Sequence, residues 1–212
     1  MDIARLRGAL SAIVTPFDAS GAVDEAALRR LVEAQIERGI DGLVACGTTG
    51  ETPTLNADEQ ERVVRTVVDA AAGRVPVIAG TGTNDTRATV AHTRRAAGWG
   101  VDAALVVAPY YNKPSQEGMF RHFAAVADDG ALPVVAYNVP GRTASDLLPQ
   151  TIARLVERRA IIGIKDATAN MVRTTETLSA LPEGVPFAML SGDDFTILPR
   201  SEERRVGKEC PS

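Results

Sequence analysis

Two cysteines, two histidines, one tryptophan and only 4% aromatic residues leave this 212-residue chain without the means for several kinds of chemistry and construction. Cys46 and Cys210 are too few for a disulfide framework. Cys46 lies in the apolar run GLVACG, where a small buried hydrophobe is the expected role and a nucleophile is not. His92 and His122 each fall in a helix-like stretch, with no cysteine or carboxylate cluster beside them at ligand spacing, so no metal is expected. No apolar run approaches the roughly 20 residues that cross a bilayer. The opening MDIARLRGALSAIVTPF has a short apolar part and no small-residue cleavage site, unlike a secretion signal. A cytoplasmic address without membrane partners is therefore expected. The formal net charge of −4 offers no clustered basic face for nucleic acid.

What is present is 45% hydrophobic and 24% charged sequence, enough for one globular domain with a sizeable core. Strand-like apolar runs begin near Leu10 (LSAIVTPF), Gly42 (GLVACG), Pro76 (PVIAG), Ala104 (ALVVAPY), Pro133 (PVVAYN), Ile161 (IIGIK) and Pro186 (PFAMLSG). They recur about every 30 residues, the length of a strand–helix unit. Helix signals fall between them. Leu28, Leu31, Val32 and Ile36 keep helical spacing after Asp24. Asn56 followed by Glu59 makes a capping box for the stretch with Val63, Val64, Val67 and Val68, and Asp85 and Gly98 bracket a third helix. Strands that are apolar throughout are the kind covered on both faces in a parallel sheet.

Seven such units predict an α/β fold of the (β/α)8 TIM-barrel type, truncated to about seven units. An open doubly wound sheet is the rival. It gathers ligand residues around one switch point, whereas Thr48, Tyr111, Tyr137, Lys165 and Gly192 follow the ends of five different strands. A barrel brings all those ends to one mouth, and the barrel is the expectation.

Tyr137 and Lys165 close neighbouring strands one repeat apart, so their side chains should emerge side by side. Partial burial there disfavours the ammonium and frees the amine, while the phenol can move protons for whatever the amine attacks. Taken alone, Lys165 reads more readily as a buried strand-end lysine in a structural ion pair; the rest of the chain tips the reading the other way. GTTGE (Gly47–Glu51) turns tightly after the second strand and leaves N–H groups and the Thr48 and Thr49 hydroxyls for a small carboxylate; an ordinary strand-to-helix turn reads the same way. GTGTND (Gly80–Asp85) lacks both the P-loop ending and the full dinucleotide glycine pattern and is read as a turn. The paired tyrosines of PYYNKPSQEG are by default buried packing residues. Arg142, on a loop over the same mouth, suits a bidentate carboxylate clamp or a surface ion pair.

Taken in order, AIVTPF, GTTGET, PVIAGTG, PYYNKPSQEG, YNVPGRT, GIKDAT and LSGDD closely resemble the dihydrodipicolinate synthase family of pyruvate-dependent class I aldolases. Lys165 and GTTGE occur across that superfamily, including sialic acid and keto-sugar-acid lyases; YNVPGRT with PYYNKPSQEG points to the synthase branch. The resemblance implies that Lys165 forms a Schiff base with pyruvate and that Tyr137 shuttles protons in a relay with Thr48 and Tyr111. Thr49 and the GTTGE backbone would hold the pyruvate carboxylate, and Gly192 would line the substrate site. Arg142 would bind L-aspartate-4-semialdehyde, and the product would be 4-hydroxy-tetrahydrodipicolinate, on the route to lysine and diaminopimelate. It implies no metal or organic cofactor, and a homo-oligomer (dimer or tetramer) in which Tyr111 crosses the interface.

The family's lysine-feedback site is matched by Asn84 and Tyr110. Ala57, Gln60 and Ala88, however, replace two histidines and a glutamate, so weak or absent lysine inhibition is expected. The resemblance stops at Pro199. Residues 1–199 are expected to form an incomplete catalytic barrel, and the charged RSEERRVGKECPS (200–212) a non-family tail, disordered or artefactual. An inactive fragment, or another pyruvate aldolase, is the alternative function.

Overall fold

The computed structural model describes residues 3–197. The expected boundary at Pro199 and the tail 200–212 lie outside the described residues.

Seven strands form one parallel sheet: β1 (Leu10–Ala12), β2 (Gly42–Ala45), β3 (Val77–Gly80), β4 (Ala103–Val107), β5 (Val134–Asn138), β6 (Gly163–Asp166) and β7 (Ala188–Ser191). Each pairs with the next in chain order. A doubly wound sheet reverses its order at a switch point; this one never does. Right-handed crossovers in one direction put every helix on the same face. The result is a seven-stranded partial barrel, as the spacing of the apolar runs predicts.

The helices are α1 (Glu25–Glu37), α2 (Ala57–Ala71), α3 (Thr86–Ala97), α4 (Gln116–Asp129), the single turn α5 (Pro140–Thr143), α6 (Pro149–Glu157) and α7 (Met171–Ala180). Their ends follow the sequence signals. The Asn56 side chain accepts from the N–H groups of Asp58 and Glu59 at 3.0 Å, while Glu59 reaches back to the Asn56 N–H at 2.8 Å. That reciprocal box is worth about 1 kcal/mol. Asp24 caps α1, and Asp85 caps α3, which ends at Gly98. Between the caps, the apolar positions at helical spacing face the sheet: Leu28 and Val32 on α1, and Val63, Val64 and Val67 on α2, are all at most 1% exposed.

Strand alternation divides the core into two sides. Leu43, Ala45, Val77 and Ala79 pack under α1 and α2. Ala104, Val106, Ala136 and Ile164 pack with Phe123 of α4 and Leu155 of α6. The intervening residues Val44, Ile78, Leu105, Val135 and Tyr137 meet on the concave side, joined by Leu6 from ahead of β1. A residue that is apolar on both faces of a short strand therefore has a partner on each side, which explains the unbroken apolar runs.

The strands are shorter than the runs that announce them. LSAIVTPF yields only three strand residues, although the Ile13 N–H still donates to the Val44 carbonyl at 3.1 Å. IIGIK starts its strand at Gly163, where β6 crosses so close to Ala188 that a side chain would run into its carbonyl and methyl.

Candidate active site

β5 and β6 pair in parallel with Tyr137 opposite Lys165, and both side chains turn to the concave side. Lys165 Nζ lies 4.5 Å from the centroid of the Tyr137 ring. The same lateral row continues to Val107 on β4 and Leu190 on β7, so the amine emerges between apolar neighbours. Burial holds the Lys165 ammonium below the usual lysine range, against the opposing charges of Asp193 and Asp194. Burial also pushes the Tyr137 phenol up; Arg142 opposes that shift and Asp193 adds to it. Both shifts favour uncharged forms: an amine with a free lone pair beside a phenol that keeps its proton.

Gly192 follows β7, and its N–H donates to the Asp166 carbonyl at 2.7 Å. A Cβ on it would stand 3.2 Å from Lys165 Cε and 2.8 Å from the Ala167 methyl. A side chain there would therefore press on the stem of the amine.

Thr48 and Thr49 sit in the turn after β2, both exposed. The turn is tied by Gly50 N–H to the Gly47 carbonyl, Glu51 N–H to the Thr48 carbonyl (both 3.1 Å) and Thr15 Oγ1 to the Gly50 carbonyl (2.8 Å). Among the described residues, neither the backbone N–H groups nor the hydroxyls of Thr48 and Thr49 have a partner. Two amides and two hydroxyls at the sheet's C-terminal end are thus free to donate, the kind of groups that an anion takes up.

Tyr111 departs from the expectation of buried tyrosines: it is 87% exposed, and Tyr110 is 38% exposed. Its φ of +70° lies where a bulky residue is strained by about 1–3 kcal/mol. The loop is held regardless, by Tyr111 N–H to the Thr143 carbonyl (3.2 Å) and Asn112 Nδ2 to the Asn84 carbonyl (3.0 Å). An open concavity is lined by Tyr110, Tyr111, Lys113, Arg142, Thr143 and Ala144. Arg142, exposed on α5, has no carboxylate partner among the described residues. Thus the structure joins Tyr137 to Lys165 and sets Arg142 near enough to bias the phenol, but no hydrogen bond links Thr48, Tyr137 and Tyr111 within one chain.

Several groups lie apart from this mouth. The Cys46 thiol is buried, and burial pushes its pKa up to about 12, which leaves it inert at neutral pH. His122 is buried between α3 and α4 with Nδ1 2.9 Å from Thr86 Oγ1, and burial lowers its pKa to about 4. Among the described residues, no cluster of His, Cys, Asp or Glu could hold a metal ion, and no helix is long and apolar enough to cross a membrane. The Gln60 amide donates to the Leu55 and Thr52 carbonyls at 3.1 and 3.5 Å.

Sequence reasoning missed two features. Asp193 and Asp194 lie within the quoted LSGDD without an assigned role, although they oppose the shift on Lys165. A polar clamp of Asn138, Asp146 and Arg173 was also unforeseen. Its one signal is Asn138, an amide in an apolar strand that must find a partner when buried.

A sequence model of the dihydrodipicolinate synthetase family matches residues 5–205. The 4-hydroxy-tetrahydrodipicolinate synthase of Thiobacillus denitrificans is 51% identical over 198 residues, which is 93% of this chain and 66% of that protein. The crystal structure of a dihydrodipicolinate synthase from Bacillus anthracis superposes with a TM-score of 0.88 at 45% identity, covering 92% of this chain and 66% of the other. The chloride-inhibited dihydrodipicolinate synthase of Acinetobacter baumannii, solved in complex with pyruvate, gives a TM-score of 0.88 at 46% identity with the same coverage. The chain spans just under two thirds of the length of the curated relatives it matches.

Proposed function

The chain belongs to the dihydrodipicolinate synthetase family, and on that premise we propose that it is a Schiff-base-forming synthase joining pyruvate to L-aspartate-4-semialdehyde, with residues 1–199 as its catalytic unit. The observation that carries the reading is the partly desolvated Lys165 amine set 4.5 Å from the Tyr137 ring centre. The pyruvate complex of the Acinetobacter baumannii relative supports the first substrate.

The Lys165 lone pair attacks the pyruvate ketone, and the resulting carbinolamine loses water to give an imine. Tyr137 delivers the proton that water needs to leave. The protonated imine draws electrons from the neighbouring methyl, which loses a proton and becomes an enamine carbon. That carbon attacks the aldehyde, whose oxygen takes up a proton. The amine of the aldehyde substrate then attacks the imine carbon, closing the ring and releasing Lys165 as 4-hydroxy-tetrahydrodipicolinate forms. The lysine imine is the electron sink, so the scheme calls for no metal or organic cofactor.

Thr49 and the Gly47–Glu51 amides take the pyruvate carboxylate, Gly192 leaves room beside the amine, and Arg142 grips the second carboxylate. Thr48 and Tyr111 complete the proton relay. Because Tyr111 is exposed and bonded to neither partner within its own chain, the relay closes through a second copy in a homo-oligomer. Lysine should inhibit weakly or not at all, since Ala57 and Ala88 offer no charge and Gln60 is engaged. Half-maximal inhibition below millimolar lysine would contradict this.

The direct test is product formation from pyruvate with a panel of aldehydes, including sugar acceptors. Turnover of L-aspartate-4-semialdehyde is expected; turnover of another acceptor alone would assign the chain to a different aldolase. One observation favours a second reading, a non-catalytic scaffold: among the described residues, β1 and β7 each pair on one side only. No turnover of any acceptor by folded protein would support it.

A further inference from the structure

Arg142 and Tyr111 reach the mouth from loops, and both loops depend on the segment between β5 and α6. Three hydrogen-bonded anchors hold that segment. Asn138, fully buried at the end of β5, accepts the Leu147 N–H on Oδ1 and donates from Nδ2 to Asp146 Oδ1, each at 3.0 Å. Arg173 on α7 meets the Asp146 carboxylate with both terminal nitrogens, Nη1 to Oδ1 and Nη2 to Oδ2, each at 3.0 Å. Gln116 at the start of α4 donates to the Asp146 carbonyl at 2.7 Å and accepts from the Leu148 N–H and Thr151 Oγ1 at 3.2 and 2.6 Å.

The anchored segment includes α5, which carries Arg142, and Thr143, whose carbonyl accepts the strained Tyr111 N–H. Asp146 is thus the node where β5, α4 and α7 meet the loop that aims both residues. A bidentate arginine–carboxylate pair fixes direction as well as distance, and the Arg173 side chain is only 17% exposed. Glu176, 3.9 Å from Arg173 Nε, is the other carboxylate facing it.

We propose that Asp146, held by Arg173, Asn138 and Gln116, is a positioning residue that sets Arg142 for the second substrate, leaving unchanged the equilibrium extent of pyruvate capture at Lys165, which the relay through Tyr111 paces but does not set. The proposal rests on the reading that Arg142 binds the carboxylate of the aldehyde substrate. Lys165 and Tyr137 stand on strands and owe their pairing to the β5–β6 register alone. A displacement of about 1 Å in a group that aligns a reactant can lower the rate on the order of a hundredfold.

The test uses the full chain with Asp146→Ala, Arg173→Met and Arg173→Lys, each confirmed folded by thermal melting. For Asp146→Ala, the KM for L-aspartate-4-semialdehyde should rise at least tenfold, while the pyruvate adduct trapped by borohydride after equilibration with pyruvate stays within twofold of the parent. Arg173→Lys should recover part of what Arg173→Met loses. An unchanged KM, or a KM change matched by equal loss of adduct, would overturn the proposal. Hydrogen exchange supplies a readout that needs no activity. Amides of residues 139–148 and of Tyr111 should exchange at least tenfold faster in Asp146→Ala, with β5 and β6 unchanged. If the parent forms neither adduct nor product, the proposed function fails, and exchange alone then decides the clamp: acceleration upholds it and no change overturns it.

Discussion

The middle and the margins of the sheet are built to different standards. All five residues of β5 are buried, as are four of the five in β4. None of the three in β1 is buried, and only Ala188 of the four in β7. Lys165 and Tyr137 stand on the well-packed middle, where two covered faces and two flanking strands leave little freedom. The groups that adjust them, Gly192, Asp193 and Asp194, come from the margin beyond β7. Placement of the Lys165 amine and its electrostatic tuning therefore rest on parts of the sheet that are buried to different degrees.

The largest effect expected in the middle is chemical. Tyr137→Phe keeps the ring beneath Lys165 but removes the proton donor, and should slow adduct formation by about 10²–10⁴-fold. Single-turnover mass spectrometry would measure it, and a drop below tenfold would break the assignment of Tyr137. Next comes a stability contrast. Ile164→Ala, at a fully buried site under the helices, should cost about 2–5 kcal/mol. Leu190→Ala, half-covered on β7, should cost about 1 kcal/mol or less. Denaturant titration of both would show whether the margin is as weakly held as its exposure indicates; equal losses would erase the contrast.

The smallest effect is a shift in pH dependence. Asp193 favours the charged form of Lys165, so Asp193→Asn removes a negative charge that holds the lysine pKa up. The free-amine fraction near neutral pH then increases, and the midpoint of the adduct-rate profile moves to lower pH. A midpoint that stays put or rises would show that Asp193 does not act on the amine.

Much of the middle was legible in the sequence, because its determinants are local. A parallel strand covered on both faces must be apolar throughout, so GLVACG, PVVAYN and IIGIK announce themselves. The caps at Asp24, Asn56 and Asp85 depend on residues within one turn. Tyr137 opposite Lys165 follows from repeat length and register. What was missed depends on distant pairings or on backbone conformation. Asp146 meets Arg173 and Gln116 from other elements of the chain, so no spacing rule links them. Tyr111 is exposed on a backbone at a positive φ that bulky residues seldom adopt, and neighbouring letters reveal neither feature. The effect of Asp193 on Lys165 acts across the β6–β7 pairing, from a loop whose direction beyond β7 no local pattern gives.

The central claim is that Lys165 is an activated amine on a preformed strand pair. Intact-mass spectrometry after incubation with pyruvate and borohydride tests it most directly, with Lys165→Ala as the control. A single reduced pyruvyl adduct on the parent chain, absent from the control, is the predicted result. An adduct that persists in Lys165→Ala, or none on folded parent protein, would contradict the account.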